Sequence, residues 1–450
     1  MKYFIAFFSL SLISLATWAQ VPSPGEPQSQ PIILAGATVH VGNGEVIENG
    51  AVAFRDGNIE MVAEASALED MDLSDYQVVP AEGQHIYPGF ILPNTTVGLK
   101  EIGSVRATVD EAEQGILNPN VRAMISYNTD SEIIPTLRYN GILLAQTTPQ
   151  GGLIPGTSSV MQLDAWNWED AVVQPDDAMH LNWPNRFRQE FDYTTLTVKR
   201  VKNKNYDEQR RMLEELLADA TTYLGMGQPT ESNLKLEALA GLFDGSKALH
   251  IHADEAKQII ESIRFAEDRG VQRIVLVSSG DALLVADFLK ARDIPVIVKN
   301  VHVLPNRPDD AVNVPYELPS RLLEAGLTVG LGYERGMNAS ARNLPFLAGS
   351  AVAHGSDKEE ALQLITKNNA QILGISDRYG TLEEGKSATL FVSEGDALDM
   401  RTNKITRAFV DGRQVTLPAL QQRLYQKYKE KYEDEPLVQE EEAGSNRGNE

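Results

Sequence analysis

Two histidines in Leu249-His250-Ile251-His252 carry the clearest chemical signal in the chain. On an extended strand, residues two apart face the same side, so both imidazoles would be presented to one point. Imidazole is a preferred ligand for zinc and similar ions. The chain has no cysteine, which excludes disulfides, thiolate nucleophiles, Fe–S clusters and Cys-ligated zinc. A transition metal would therefore have to sit on the seven histidines, helped by carboxylates. His302, in Asn300-Val301-His302-Val303, is a second imidazole candidate, with an ordinary loop histidine as the alternative. Arg342-Asn343 offers a guanidinium fork suited to a substrate carboxylate, or a salt bridge that orders a loop. Gly151-Gly152 and Gly156 permit close backbone approach to a ligand, although turn formation explains them equally. Of Trp166 and Trp168, one is expected to pack and the other to lie over a pocket. His40, His85, His180 and His354 read as structural, because none falls at an identifiable strand end.

The elements that must position these groups alternate. Residues 249–251, 273–277, 294–298 and 327–331 read as short buried strands. Between them, residues 254–269, 282–292 and 318–325 read as helices, and a further helix is expected over 359–373. Residues 89–92 and 141–147 resemble earlier strands of the same sheet. Repeated units of this size imply a parallel sheet with helical crossovers, and a (βα)8 barrel fits residues 86–384. An open doubly wound sheet is the structural alternative. No glycine-rich nucleotide loop follows a strand. Residues 32–62 and 388–417 are strand-and-turn text, which suggests one small β-sandwich built from both ends, as residues 31–85 and 385–417. Residues 192–206 form a basic stretch, read as a solvated loop or a lid that draws in anions. Residues 418–432 read as a polar helix, and 433–450 as an acidic tail.

The charge balance is 40 basic against 63 acidic residues, a net charge of −23, which disfavours nucleic acid and anionic membrane as partners. Met1-Lys2 followed by an apolar run to Ala16 and by Thr17-Trp18-Ala19 reads as a signal peptide cut after Ala19. The run is short for a bilayer span, which needs about 20 residues. Residues 20–30, rich in proline, read as a linker. A periplasmic or secreted protein without stable membrane insertion is the expectation.

Three stretches together resemble the amidohydrolase superfamily, and within it the imidazolonepropionase-like members. They are Ile33-Leu34-Ala35-Gly36-Ala37-Thr38-Val39 with Asp56-Gly57-Asn58-Ile59; Tyr87-Pro88-Gly89-Phe90-Ile91; and Ala361 to Thr366 through Leu373-Gly374-Ile375, Gly380-Thr381-Leu382 and Glu384-Gly385-Lys386. The resemblance spans about residues 31–417. It implies a distorted (βα)8 barrel beside a β-sandwich from both termini, with one or two metal ions at the barrel mouth. It also marks departures. The two histidines that follow the first barrel strand in the family are replaced here by Asn94 and Thr96, poor zinc ligands that are assigned to substrate binding instead. His252-Ala253-Asp254-Glu255 matches the fifth-strand ligand histidine and its neighbours. The sixth-strand histidine has no counterpart in Val277-Ser278-Ser279-Gly280. The eighth-strand aspartate is replaced by Gly332-Tyr333-Glu334.

The resemblance thus implies a reduced centre holding at most one divalent ion, zinc first, or none. His252 and His250 would be its ligands, Glu334 and His302 the catalytic groups, and Arg342 a substrate anchor. Two functions follow: hydrolysis of a non-peptide amide or cyclic amide C–N bond in a small molecule, or ligand binding without catalysis. In the second case the chain would bind a ligand or serve as partner to an active paralogue, and in either case a homo-oligomer is open.

Overall fold

The computed structural model describes residues 23–433, apart from 228–230, 306, 308–309 and 335–337. The signal segment, the start of the linker and most of the acidic tail lie outside the described residues. Five strands open the chain: β1 (Ile32–His40), β2 (Val46–Arg55), β3 (Asn58–Glu64), β4 (Gln77–Pro80) and β5 (His85–Pro88). Ten follow in the middle: β6 (Phe90–Thr95), β7 (Ile142–Thr147), β8 (Thr157–Gln162), β9 (Val172–Asn182), β10 (Phe187–Asp192), β11 (Thr197–Lys202), β12 (Ala248–His252), β13 (Ile274–Ser278), β14 (Val296–Val298) and β15 (Val329–Leu331). Three close the chain: β16 (Leu390–Ser393), β17 (Ile405–Val410) and β18 (Arg413–Gln414).

The first sheet runs β18-β17-β16-β5-β1-β2-β3, with β4 also on β1, so both ends of the chain build it. The joint is the antiparallel pairing of β16 with β5. Tyr87, Phe90 and Phe391 fill the seam with the barrel, with the Phe90 and Phe391 rings edge-to-face at 4.8 Å. Gly141 turns into β7 at φ +87°, and a Cβ there would meet the Phe391 ring at 2.7 Å. Glycine satisfies both demands at once.

The second sheet runs β6-β7-β8-β9-β12-β13-β14-β15 and curls into a nearly closed barrel. It departs from a uniform βα repeat at β8, which lies antiparallel to both β7 and β9. The reason is the connection. No helix separates β7 from β8, and a short loop can return only antiparallel. Closure is also indirect. The helix expected over 359–373 is two helices, Lys358–Gln363 and Lys367–Ile372, broken where the backbone serves the barrel. The Leu331 N–H donates to the Leu364 carbonyl at 2.9 Å, and the Ile91 N–H to Ile365 at 2.8 Å. Buried Asn369 Nδ2 then donates to the Ile91 and Leu331 carbonyls at 2.8 and 2.9 Å, bridging the first and last strands.

The basic stretch is neither coil nor isolated. β10 and β11 pair as a hairpin that follows β9, and Arg200 forms an ion pair with Glu255. Among the described residues no helix is long and apolar enough to cross a membrane.

Candidate functional site at the barrel mouth

The strand ends decide which side chains meet. β12 runs parallel to β9, with His250 opposite His180 and His252 opposite Asn182. Alternation turns His250 and His252 to one face, and the register brings His180 onto it. His180 Nδ1 lies 2.9 Å from His252 Nε2, so one of the two nitrogens must carry the proton. The His180 and His250 rings stand edge-to-face at 5.0 Å. Burial pushes all three below the ordinary histidine range; neighbouring imidazoles add to this at His180 and His250, and the Lys299 charge does so at His252. His250 and His252 are both pushed to about 3, so they are neutral at physiological pH. His180 Nε2 and both ring nitrogens of His250 are buried with no hydrogen-bond partner among the described residues.

Beside the histidines lies a charged cluster drawn from β12 to β15. Lys299, one residue past β14, reaches Asp254 with Nζ–Oδ2 at 2.8 Å. Asp254 also accepts from the Ser279 N–H at 2.8 Å and from Ser278 Oγ at 3.2 Å. Crowding by protein would raise its carboxyl, but the Lys299 charge and these donors hold it below the usual range. Crowding also works against the Lys299 ammonium, and the charges of Asp254 and Glu334 outweigh it, so lysine stays protonated. Glu334 is anchored through its own N–H, which donates to the Lys299 carbonyl at 2.9 Å. Its carboxyl is raised by the surrounding protein, with Lys299 pulling the other way.

Asn94 meets Glu334 from across the barrel, its Nδ2 donating to Oε2 at 2.8 Å. Strand alternation would turn Asn94 and Thr96 to one side, but a bulge intervenes. Asn94 has φ +52°, and the β6–β7 register slips between Leu92 and Thr95. Asparagine tolerates that left-handed backbone better than most residues. The two side chains therefore separate: Thr96 Oγ1 donates to Asn338 Oδ1 at 2.7 Å, and Asn94 Oδ1 is buried with no partner among the described residues.

Of the residues nominated from sequence, His252, His250, Asn94 and Glu334 come together at the mouth. His302 does not join them: its Nε2 lies 2.6 Å from Ser350 Oγ on the helix Leu344–Ala353, and its ring stands 6.0 Å from that of Tyr316. Arg342 is exposed, and its carbonyl accepts from Asn140, which precedes β7 at the end away from the mouth. Three members of the site were not nominated. His180 was assigned a structural role because Gln174 to Asp177 hides the strand that carries it. The alternation of Met179, His180, Leu181 and Asn182 was the available signal. Asp254 was noted only as a neighbour of His252, and nothing but its place after a buried strand marked Lys299. Trp166 is exposed, while Trp168 packs against the core.

The sequence pattern of the amidohydrolase family matches residues 156–415, more than half of the chain. The chain belongs to the amidohydrolase family. It is 27% identical to an imidazolonepropionase of Symbiobacterium thermophilum over 373 residues, which cover 77% of this chain and 84% of that one. An imidazolonepropionase of Flavobacterium psychrophilum is 28% identical over 111 residues, 23% of this chain and 27% of that one. Among solved structures, an amidohydrolase from Thermotoga maritima superposes with a TM-score of 0.73 at 22% identity, covering 86% of this chain and 99% of that one. Molinate hydrolase gives 0.54 at 14% identity over 87% of this chain and 96% of that one. These likenesses show the barrel-and-sandwich fold, and the family places this amidohydrolase with hydrolases of non-peptide C–N bonds.

The ligand set expected of an amidohydrolase metal centre is not assembled among the described residues. Among the described residues, no three His, Asp or Glu side chains are gathered to hold an ion. The first-strand positions hold an amide and a hydroxyl that are already hydrogen-bonded to neighbours. His180 and His252 could offer two nitrogens, but no third such ligand joins them. The ammonium of Lys299 pairs with Asp254, a carboxylate that would otherwise attract a cation.

Proposed function

We propose that this amidohydrolase hydrolyses an amide or cyclic amide bond of a small molecule bound at the barrel mouth. The carrying observation is Glu334, a carboxyl at the mouth held by Asn94 at 2.8 Å, with its own N–H on the Lys299 carbonyl at 2.9 Å. A carboxyl whose pKa burial raises is a better proton carrier between water and a leaving nitrogen than a fully solvated one. In the step, a water oxygen bonds to the carbonyl carbon while Glu334 takes the water proton. The carbonyl π pair moves onto oxygen. On collapse the C–N bond breaks, its electron pair stays on nitrogen, and Glu334 protonates that nitrogen, leaving an acid and an amine.

A cleft of about 710 Å3, lined by Asn182, Trp183, Phe187, Arg200 and Glu255, opens next to the ends of β9 and β12. We also propose that the chain is exported. The N-terminal residue of the protein recovered from the periplasm, read by mass spectrometry, should be Gln20.

The test is turnover of a panel of lactams, imidazolones and N-acyl amino acids, followed by mass spectrometry. At least one cyclic or acyclic amide should be opened, and Glu334→Gln should lower kcat by about 100-fold or more. A panel with no turnover would favour the second reading, a ligand-binding protein or partner of an active relative. That reading draws on Asn94 and Thr96 standing where the family has ligand histidines.

A further inference from the structure

The hairpin of β10 and β11 is a two-stranded sheet of its own, joined to neither of the large ones. β10 is Phe187-Arg188-Gln189-Glu190-Phe191-Asp192, and every residue of it except Asp192 is exposed. The Asn203 N–H donates to the Arg186 carbonyl at 2.9 Å, and the register runs unbroken from Phe187 opposite Lys202 to Asp192 opposite Thr197. Antiparallel alternation then turns the backbone groups of Arg188 and Glu190 toward β11 and those of Phe187, Gln189 and Phe191 outward. Among the described residues these outward groups have no backbone partner. On the same hairpin Phe187, Phe191, Tyr193, Leu196 and Val198 are between 43% and 84% exposed. They present roughly 500 Å2 of apolar side chain, a size at which a patch marks an interaction site. An isolated two-stranded hairpin is marginal in water, and a free edge is a template for a further strand.

The charge pattern of the strand selects the partner. From Arg186 to Asp192, two cations precede Gln189 and two carboxylates follow it, with a phenylalanine inside each pair. We propose that β10 pairs antiparallel with β10 of a second copy of this chain, across a two-fold axis at Gln189, so that two hairpins form one four-stranded ribbon. Arg186 then lies opposite the partner's Asp192, Phe187 opposite the partner's Phe191, and Arg188 opposite the partner's Glu190. The contact is self-complementary, as a two-fold interface must be. Unlike charges stabilise a cross-strand pair and like charges destabilise it. An axis moved to Arg188 or to Glu190 would set that residue against its own copy, so the charges select Gln189 as the centre. Arg188 meets Glu190 of its own strand at 3.2 Å, with both side chains more than half exposed, and such a pair is exchanged for the partner's at little cost. Arg186, Lys199 and Arg200 already face carboxylates of this chain, so the hairpin offers rings and alternating charge rather than a cationic field for a polyanion. Phe187 and Gln189 also line the cleft at the ends of β9 and β12, and pairing would fix that wall of it.

The test is sedimentation equilibrium of the full mature chain beside Arg188→Glu and Glu190→Arg, with thermal melts to confirm folding. The native chain should be a dimer at micromolar concentration. Each single reversal sets two like-charge pairs across the axis and should raise the dimer Kd about tenfold or more. Mixed together, the two variants should associate as the native chain does, because each opposes the other's charges at both positions. A monomeric native chain overturns the proposal, and a hairpin that serves another protein or a membrane would give that result. So does a dimer that neither reversal weakens, or a mixture that associates no better than its parts. None of these outcomes depends on whether the barrel mouth hydrolyses an amide.

Discussion

Two groups of histidines lie buried in this protein, and they are held in different ways. At the seam between sandwich and barrel, both ring nitrogens of His40 are engaged: Nδ1 with Glu359 Oε1 at 2.7 Å and Nε2 with His85 Nδ1 at 3.0 Å. The ring also stacks on Tyr87 at 4.2 Å. Inside the barrel, His180 and His250 are as deeply buried, yet three of their four ring nitrogens lack a partner among the described residues. A buried unpaired polar group costs about 1–3 kcal/mol. A fold that carries three has set aside stability near its mouth, where substrate chemistry belongs, and has satisfied the same residue type fully at the seam.

Three substitutions sharpen or break that contrast. The largest effect is expected at Asp177, which shares β9 with His180 but is fully partnered, by Gln146 Nε2 at 2.6 Å and Ser158 Oγ at 2.9 Å. Burial raises its carboxyl to about 6. A folded-state pKa above the unfolded value means that the stabilisation is complete below the unfolded pKa and is lost as pH rises through about 6. The unfolding free energy of the native chain relative to Asp177→Asn should therefore fall by about 3 kcal/mol between pH 4 and neutrality, read from urea melts across that range. A pH-independent difference would show that the carboxyl is solvated.

A smaller loss, about 2 kcal/mol, is expected for His40→Leu, which strands the Glu359 carboxylate in the seam. The smallest effect belongs to His250→Leu. Removing two unpaired nitrogens relieves their penalty, and the poorer fit of leucine offsets part of the gain, so stability should rise by about 1 kcal/mol. A loss as large as that of His40→Leu would mean that His250 has a partner in solution, and the contrast between the two groups would collapse.

The sequence was most legible where local chemistry and strand period agree. His250 and His252 share a face because they are two apart on a buried strand, and that holds in any sheet. The sandwich strands around Asp56-Gly57-Asn58 and Asp411-Gly412 were legible for the same reason, since the turns announce them. Residues 359–373 show the limit. Their helical period is real, but the backbone near Leu364 and Ile365 leaves the helix to close the barrel, a demand made by strands far away in sequence. The basic stretch likewise pairs with the residues just before it as a hairpin, where composition alone suggested a solvated loop or a lid.

By itself the sequence determined the two-part architecture, the family, the absence of thiol chemistry and the place of His252. Periodicity, turn residues and residue type act locally, so they survive being read one segment at a time. Only the tertiary structure decided that His180 joins His252, that a bulge parts Asn94 from Thr96, and that His302 and Arg342 lie elsewhere. Sheet register fixed the first of these, since parallel pairing of β9 with β12 sets which side chains face each other. Lys299 is the clearest case. A lysine after a buried strand carries no signal until the barrel brings Asp254 to its ammonium, because the electrostatic energy of the pair depends on distances between elements.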